Sequence, residues 1–581
     1  DQVFIGNMDL SRMYGTKCTF LIGVNDGILP ARPADDGVLS DEDREWLKRN
    51  GAQLAATGRE QLLDENFLIY MTLSSPSEKL YVSYPIADSE GKTLLPSTVV
   101  KRLNELFPDS EEKMLIHEPE QLDDEAQLEF LVNKGIALSH LAGQLGIWTR
   151  QYAISDVWWS TYNFLMNEPD RIFSQNILSS LFFRNKVENL NRHVSRDLYG
   201  EHIQGSVSRM ETFKACPFSH FASHGLKLKE RQFFKLEAPD IGQLFHSALK
   251  LISDRLHELK LDWRDLTKAQ CETLSSDAVE RLAPKLQKEI LLSSNRHHYV
   301  KQKLQKIIAR VSGILSEHAK ASGFAPVGIE LGFGGKGPLP PMRFTLKNGC
   351  TMELVGRIDR VDKAESSKGL LLRIVDYKSS DKGLDLAEVY YGLALQMLTY
   401  LDLSITHSTD WLGMEASPAG VLYFHVHDPM IQASVPLGLD EIEKEIFKKF
   451  KMKGLLLGDQ EAVKLMDTTL EQGRSNMISA GLKKDGSLRS DSDVIAEEDF
   501  HVLRRHIRRT FQKAGEEITD GKVSIEPYKL KDRTPCTYCS YRSFCQFDES
   551  LEENEYRILK PEKDNVILER LKKEDETDGD F

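Results

Sequence analysis

The 581 residues carry a formal net charge of −14, with 40% apolar and 28% charged side chains. That is the balance of a soluble globular chain of roughly three to five units at ~100–200 residues each. It excludes a uniformly basic nucleic-acid coat, and no apolar run nears the ~20 residues of a membrane span, so a cytoplasmic protein with no membrane partner is expected. The opening Asp1-Gln2-Val3-Phe4 has neither an initiator Met nor a basic-then-apolar leader, and a start inside a longer polypeptide is expected. The seven cysteines, an odd number, point to a reducing compartment rather than a disulfide scaffold.

In chain order, residues 1–105 read as part of an α/β unit. Cys18 to Val24 is a buried-strand run followed by the turn Asn25-Asp26-Gly27, and Leu80 to Tyr84 is a second strand ended by Pro85. Residues 106–205 form a mostly helical connecting region, with Trp148, Trp158 and Trp159 as core or docking residues. Strands and helices mix from 206 to 548; within this stretch 483–498 is a polar loop of the composition that favours disorder, and 549–581 is a charged tail. Two basic runs, Lys227 to Arg231 and Arg504 to Arg509, read first as solvated helix faces and second as nucleic-acid contacts.

The stretch from Cys350 to Ser380 carries the chemistry. Thr351 to Asp359 alternates as a strand, Leu370 to Lys378 does so again, and Glu365 to Gly369 makes a polar turn between them. With the turn centred on Ser367 and Lys368, Asp359 pairs directly across from Asp376, on one face, with Cβ atoms ~4.5–5.5 Å apart. Two carboxylates that close repel unless a cation lies between them, and oxygen ligands of this kind suit Mg2+ or Mn2+. Lys378, two residues beyond Asp376, shares its strand face, where an ammonium can orient water and offset transition-state charge. His246 lies off the Phe245, Leu249, Ile252 stripe of a helix; Glu330 sits in a short strand after Pro326. Gln396 and Tyr400 share a face of a helix running from Leu386 to Leu403. Singly, each of these also reads as an ordinary structural or surface residue.

Cys536-x2-Cys539-x5-Cys545 has tight ligand spacing, and Cys216-Pro217-Phe218 flanks the other end of the same segment. All-sulfur ligation admits either zinc or an iron–sulfur cluster. Cys18, Cys271 and Cys350 have no partner at ligand spacing and read as ordinary thiols.

In this order, Gly242-x2-Phe245-His246, Glu330, Gly356-Arg357-Ile358-Asp359-Arg360, Asp376-Tyr377-Lys378-Ser379 and Gln396-x3-Tyr400 resemble the RecB-type branch of the PD-(D/E)XK nucleases. The whole chain is similar to the C-terminal half of the AddB family of helicase–nuclease subunits. The resemblance implies a restriction-endonuclease-like domain, a mixed sheet flanked by helices, over 206–548. It implies a metal held by His246, Asp359, Asp376 and the carbonyl of Tyr377. Lys378 becomes the catalytic lysine, Glu330 lies near the metal, and Gln396 and Tyr400 support lysine and phosphate. It decides the cysteine question for a [4Fe-4S] cluster on Cys216, Cys536, Cys539 and Cys545, stapling the two ends of the domain.

Phe20 to Pro30 and Tyr70 to Tyr81 resemble strand and motif segments of the second RecA-like domain of superfamily 1 helicases, with Ser75 and Ser77 where active enzymes carry arginines. Serine lacks the guanidinium fork, and no Gly-x4-Gly-Lys-Ser/Thr loop occurs, so an inactivated helicase scaffold is expected here. The resemblance implies a DNA exonuclease that processes double-strand breaks for recombination, acting on duplex ends and single strands as a heterodimer with an AddA-type subunit. It further implies cutting of the 5′-terminated strand and a response to Chi sequences. The competing readings are a non-catalytic DNA-binding scaffold with a structural metal cluster, and a zinc-stapled RNA or structure-specific nuclease.

Overall fold

The computed structural model describes residues 3–8, 15–31, 39–52, 54–88, 91–169, 171–231, 233–433, 437–551 and 553–577. They fall into two units, Asp1–Leu181 and Phe182–Phe581.

In the first unit, β1 (Thr16–Ile22) pairs in parallel with β2 (Pro76–Ser83), and α1 (Gly58–Leu73) makes the crossover that parallel pairing requires. Both serines singled out in the sequence bond within this sheet region. Ser75 Oγ donates to Thr72 O at 2.9 Å, and Ser77 Oγ to Thr16 O at 3.4 Å. Further on, α2 (Lys134–Thr149) and α3 (Asp156–Asn167) pack through Leu138, Leu141, Leu145 and Leu165. Trp158 is wholly buried there and its indole N–H donates to Gln127 Oε1 at 2.6 Å. Trp148 is half exposed and meets Trp159 edge-on. No helix among the described residues is long and apolar enough to cross a membrane.

In the second unit a helix over Arg192–Tyr199 leads to β3 (His202–Gly205), the end of the stretch expected to be helical, and α4 (Val207–Ala215). Helix α5 (Ala238–Leu259) starts where Asp240 accepts the N–H of Glu237 at 2.9 Å, with Pro239 in the first turn. It buries Phe245, Leu249 and Ile252, the stripe read from the sequence. Helices α6 (Lys268–Leu282) and α7 (Asn295–Lys320) follow and pack on one another. Then come β4 (Ala325–Phe333), β5 (Met342–Thr345), β6 (Thr351–Leu354), β7 (Gly356–Ser366) and β8 (Gly369–Lys378). Helix α8 (Gln396–Thr406) leads to β9 (Ala416–His425), β10 (Lys453–Leu457), β11 (Val494–Ile495) and α9 (Glu497–Thr519). The six-stranded sheet runs β11-β10-β9-β8-β7-β4, with β8–β9 and β10–β11 parallel and the other pairs antiparallel. Residues 370–377 of β8 are buried without a break, as suits a strand covered on both faces.

Five expectations are corrected. The strand in Cys18 to Val24 is not a buried one: Phe20 and Ile22 are exposed, because β1 pairs only with β2 and one face of this two-stranded sheet is uncovered among the described residues. Thr351 to Asp359 is not one strand: β6 joins β3 and β5 in a separate three-stranded sheet, and the chain changes sheets at Val355. The alternation continues through the switch, so it hides it. The helix from Leu386 to Leu403 is broken into Leu386–Tyr390 and Gln396–Thr406 by Gly392 at φ +80°. The polar loop 483–498 contains β11 and the start of α9, because Val494 and Ile495 pair with Leu456 and Leu457. The charged tail is structured over 557–577. Here β12 (Tyr528–Leu530) pairs with β13 (Arg557–Leu559), and α10 (Asp564–Thr577) buries Ile567 and Leu571.

That last helix also explains one basic run. Arg505 and Arg509 pair with Asp575 of α10, while Arg504 and Arg508 both bind the buried Asp402. The run is a set of structural ion pairs. Lys227, Lys229 and Arg231 of the other run remain on the surface.

Candidate active site

The β7–β8 hairpin sets the geometry. Arg360 lies opposite Val375 and Ser366 opposite Gly369, and the same register continued outward puts Asp359 opposite Asp376. Asp359 Oδ2 accepts the backbone N–H of Tyr377 at 3.1 Å and lies 3.1 Å from His246 Nδ1. Glu330 Oε1 is 4.0 Å from the same imidazole nitrogen. His246, Glu330 and Asp359 thus present ligand atoms close enough to share one cation. Glu330 sits in β4 at φ +51°, an unusual conformation for a residue with a side chain, held by the flanking pairs Ile329–Arg360 and Leu331–Ile358.

Asp376 is buried beside this group. Its Oδ1 has no hydrogen-bond partner, and its Oδ2 meets Lys378 Nζ at 2.6 Å. Burial and the charge of Asp359 push its carboxyl up to about 7, despite Lys378. Asp359 moves the other way: burial opposes its charge, but the His246 hydrogen bond and charge outweigh it and hold the carboxyl below its usual range. His246 in turn is raised, because Asp359, with Asp376 and Glu330, overcomes the effect of burial. A buried acidic pair with an unpartnered oxygen and a half-buried imidazole is a donor set that suits a hard divalent ion.

At the N-terminus of α8, Gln396 Nε2 donates to Tyr400 Oη at 2.9 Å. Burial raises the Tyr400 phenol, and the charges of Asp359 and Asp376 add to this, so the hydroxyl lies within the field of the pair. Two contributors, Glu211 and Tyr423, were not singled out from the sequence, and a third, Arg357, entered only within its motif. Glu211 of α4 is half-buried and accepts the N–H groups of Leu395 at 2.7 Å and Gln396 at 3.1 Å, capping α8. Tyr423 of β9 stands in register with Asp376, and burial followed by the Asp376 charge raises its phenol. Arg357 binds Glu330 Oε2 at 3.0 Å. Tyr423 is covered by no motif, and Glu211 gives only one signal, its place five residues before Cys216.

Cys216, Cys536, Cys539 and Cys545 line one small apolar cavity with Phe218, Ile525 and Phe547. None of them is in a disulfide. Burial pushes the Cys216 thiol up to about 11, against a lowering by the nearby backbone of Ser219, Glu526 and Phe218. Four thiols around one small apolar cavity are a donor set that suits a bound metal or cluster. Cys18, Cys271 and Cys350 lie elsewhere.

Residues 204–546 match the family model of the PD-(D/E)XK nuclease superfamily. The chain belongs to that superfamily. Within the first unit, residues 123–180 match the fifth domain of the ATP-dependent helicase/deoxyribonuclease AddB. The chain is 99% identical over 581 residues to the B subunit of the ATP-dependent helicase/deoxyribonuclease of Bacillus licheniformis, covering all of this chain and 50% of that protein. The counterpart from Bacillus subtilis, of the same name, is 78% identical over 574 residues, 99% of this chain and 49% of its own length. That of Bacillus thuringiensis is 52% identical over 582 residues, 99% of this chain and 50% of its own length. The chain spans about half the length of these curated relatives. The PD-(D/E)XK domain and the AddB resemblance read from the sequence therefore hold.

Proposed function

We propose that this chain is the nuclease-bearing half of an AddB-type subunit and hydrolyses DNA phosphodiester bonds at the site of Asp359, Asp376 and Lys378. The observation that carries this is the Asp359–Asp376 pair, opposed across one hairpin with the Lys378 ammonium 2.6 Å from Asp376. His246, Asp359, Asp376 and the carbonyl of Tyr377 would hold Mg2+ or Mn2+, with Glu330 beside them. When bound, the ion supplies Lewis-acid polarisation of a phosphoryl oxygen and acidification of water. Lys378 orients the attacking water and offsets the charge gathered on the phosphate. Gln396 and Tyr400 position the lysine and the phosphate, and Glu211 fixes the helix end that carries Gln396. Asp359 keeps His246 in place through its Nδ1 contact.

The same reading extends to the rest of the molecule. Cys216, Cys536, Cys539 and Cys545 would ligate a [4Fe-4S] cluster that ties the ends of the nuclease domain, a structural role. The β1/β2 unit, with Ser75 and Ser77 where arginines would reach a γ-phosphate, would be an inactive RecA-like scaffold for DNA tracking or Chi response. In the cytoplasm, an AddA-type subunit would supply the motor, and this chain would cut the 5′-terminated strand at double-strand breaks. The test is Asp376→Ala in the assembled complex on a strand-labelled duplex. Cleavage of one strand is lost while unwinding persists; unchanged cleavage of that strand rejects the assignment.

A further inference from the structure

Beside the acidic pair lies a cleft of about 510 Å3, lined by Gln204, Phe333, Gly334, Gly335, Val355 and Arg357. That volume is within the ~300–1,000 Å3 typical of small-ligand sites. Arg357 joins the cleft to the candidate metal centre. Its guanidinium binds Glu330 at 3.0 Å, and Glu330 shares the ligand group with His246 and Asp359. The Arg357 side chain is 62% exposed, so a fork with five donors retains capacity for a second anion.

The rest of the lining is glycine backbone with the Val355 side chain, over the buried Phe333. A Cβ on Gly334 would fall 2.4 Å from Val355 Cγ1, and one on Gly356 2.8 Å from the Phe333 ring, so close packing excludes side chains there. Gly335, at φ +57°, has no neighbour within 4 Å of an added Cβ and faces open space. Gln204, exposed on β3, adds an amide at the rim, and no carboxylate lines the cleft among the described residues. A low wall of glycine backbone and Val355, an amide and one guanidinium beside a phosphodiester site match the parts of a nucleotide.

We propose that this cleft holds the nucleotide adjoining the scissile phosphate, its base against Gly334, Gly335 and Val355, its edge on the Gln204 amide and its phosphate on Arg357. The cleft takes any base, because glycine backbone and Val355 offer surface and the Gln204 amide can turn either its donor or its acceptor to the base edge. The proposal rests on the nuclease reading of the neighbouring site.

The test walks a single abasic nucleotide along an oligonucleotide, one position at a time across the cut, with the full chain and Mg2+. One position raises KM by about tenfold with kcat little changed, the scale of one lost base contact. Gln204→Trp, which fills the cleft from an exposed strand position, raises KM and abolishes the position effect; Gln204→Ala reduces it. A flat walk with a wild-type KM for Gln204→Trp overturns the proposal. A second arm needs no cleavage: 4-thiothymidine placed in the oligonucleotide is photo-crosslinked to the full chain and mapped. Crosslinks at residues 333–335 or 355 support the cleft, and crosslinks only elsewhere reject it. If the chain crosslinks there yet cuts no DNA, the nuclease reading fails and the binding site stands.

Discussion

Tyr377 donates its backbone N–H to Asp359 Oδ2 at 3.1 Å, so one carboxylate is fastened to the peptide that directly follows the other. The two acids cannot drift apart without breaking the strand pairing that carries them. Their carboxyls shift in opposite directions: burial and then the Asp359 charge raise Asp376, while the His246 hydrogen bond and charge overcome burial and hold Asp359 below its usual range.

Metal affinity should therefore depend on pH. A cation must displace the Asp376 proton, held up to about 7, and a proton from His246, whose affinity is raised. Apparent affinity for Mg2+ or Mn2+ rises by at least about tenfold per pH unit below 7, then levels off once both groups are deprotonated. Calorimetry in buffers of different ionisation enthalpy will show proton release on binding. An affinity flat from pH 6 to 8 would contradict it.

Asp362 is the stability test. It is wholly buried between Arg360, at 2.6 Å, and Arg373, at 2.9 Å, three residues along β7 from Asp359 and on the opposite face of the strand. Asp362→Ala leaves two guanidinium groups buried without a counter-charge and should cost about 3–5 kcal/mol in denaturant unfolding. The wild-type contribution has a definite pH sign. Burial raises the carboxyl, but the two arginines outweigh it and lower its folded pKa. The stabilisation is present above the unfolded value of ~3.9 and is lost as pH falls through the depressed folded one.

The cysteine cavity predicts a spectroscopic result. Purified under anaerobic conditions, the chain should be brown and contain iron and sulfide. Cys545→Ser or Cys536→Ala should lose both together with a fall in melting temperature. Zinc at one per chain, without visible absorption, would replace the cluster by a zinc staple.

The arginine run makes a negative prediction. Arg505→Ala with Arg509→Ala removes partners of Asp575, not DNA contacts. The salt slope of DNA binding stays unchanged, and stability falls by no more than about 1 kcal/mol per exposed pair. A shallower slope would show that phosphates reach this face.

The hairpin was legible because a short polar turn ending at Gly369 fixes register, and register alone sets Asp359 against Asp376. Helix α5 was legible by its apolar spacing. The switch of sheets at Val355 was not, since both flanking strands keep the same alternation and only tertiary pairing distinguishes them. The break before α8 had a local signal in Gly392, but the cap that starts α8 did not. That cap comes from Glu211, 184 residues earlier, and no local window contains it. The ordered end of the chain was missed because Ile567 and Leu571 are sparse among charges, and their burial depends on surfaces supplied by distant segments.

Helix α4 is nine residues long, with Glu211 near its middle and Cys216 capping its end. It acts as a short rigid strut: one end is anchored among the sulfurs, and its middle bears on the peptide groups that launch α8. Oxidative damage at the sulfurs that shifts Cys216 would be transmitted as a tilt to the perch of Gln396. On the proposed nuclease reading, cutting would then weaken before the domain unfolded, and its loss would be the early sign of damage at the four cysteines.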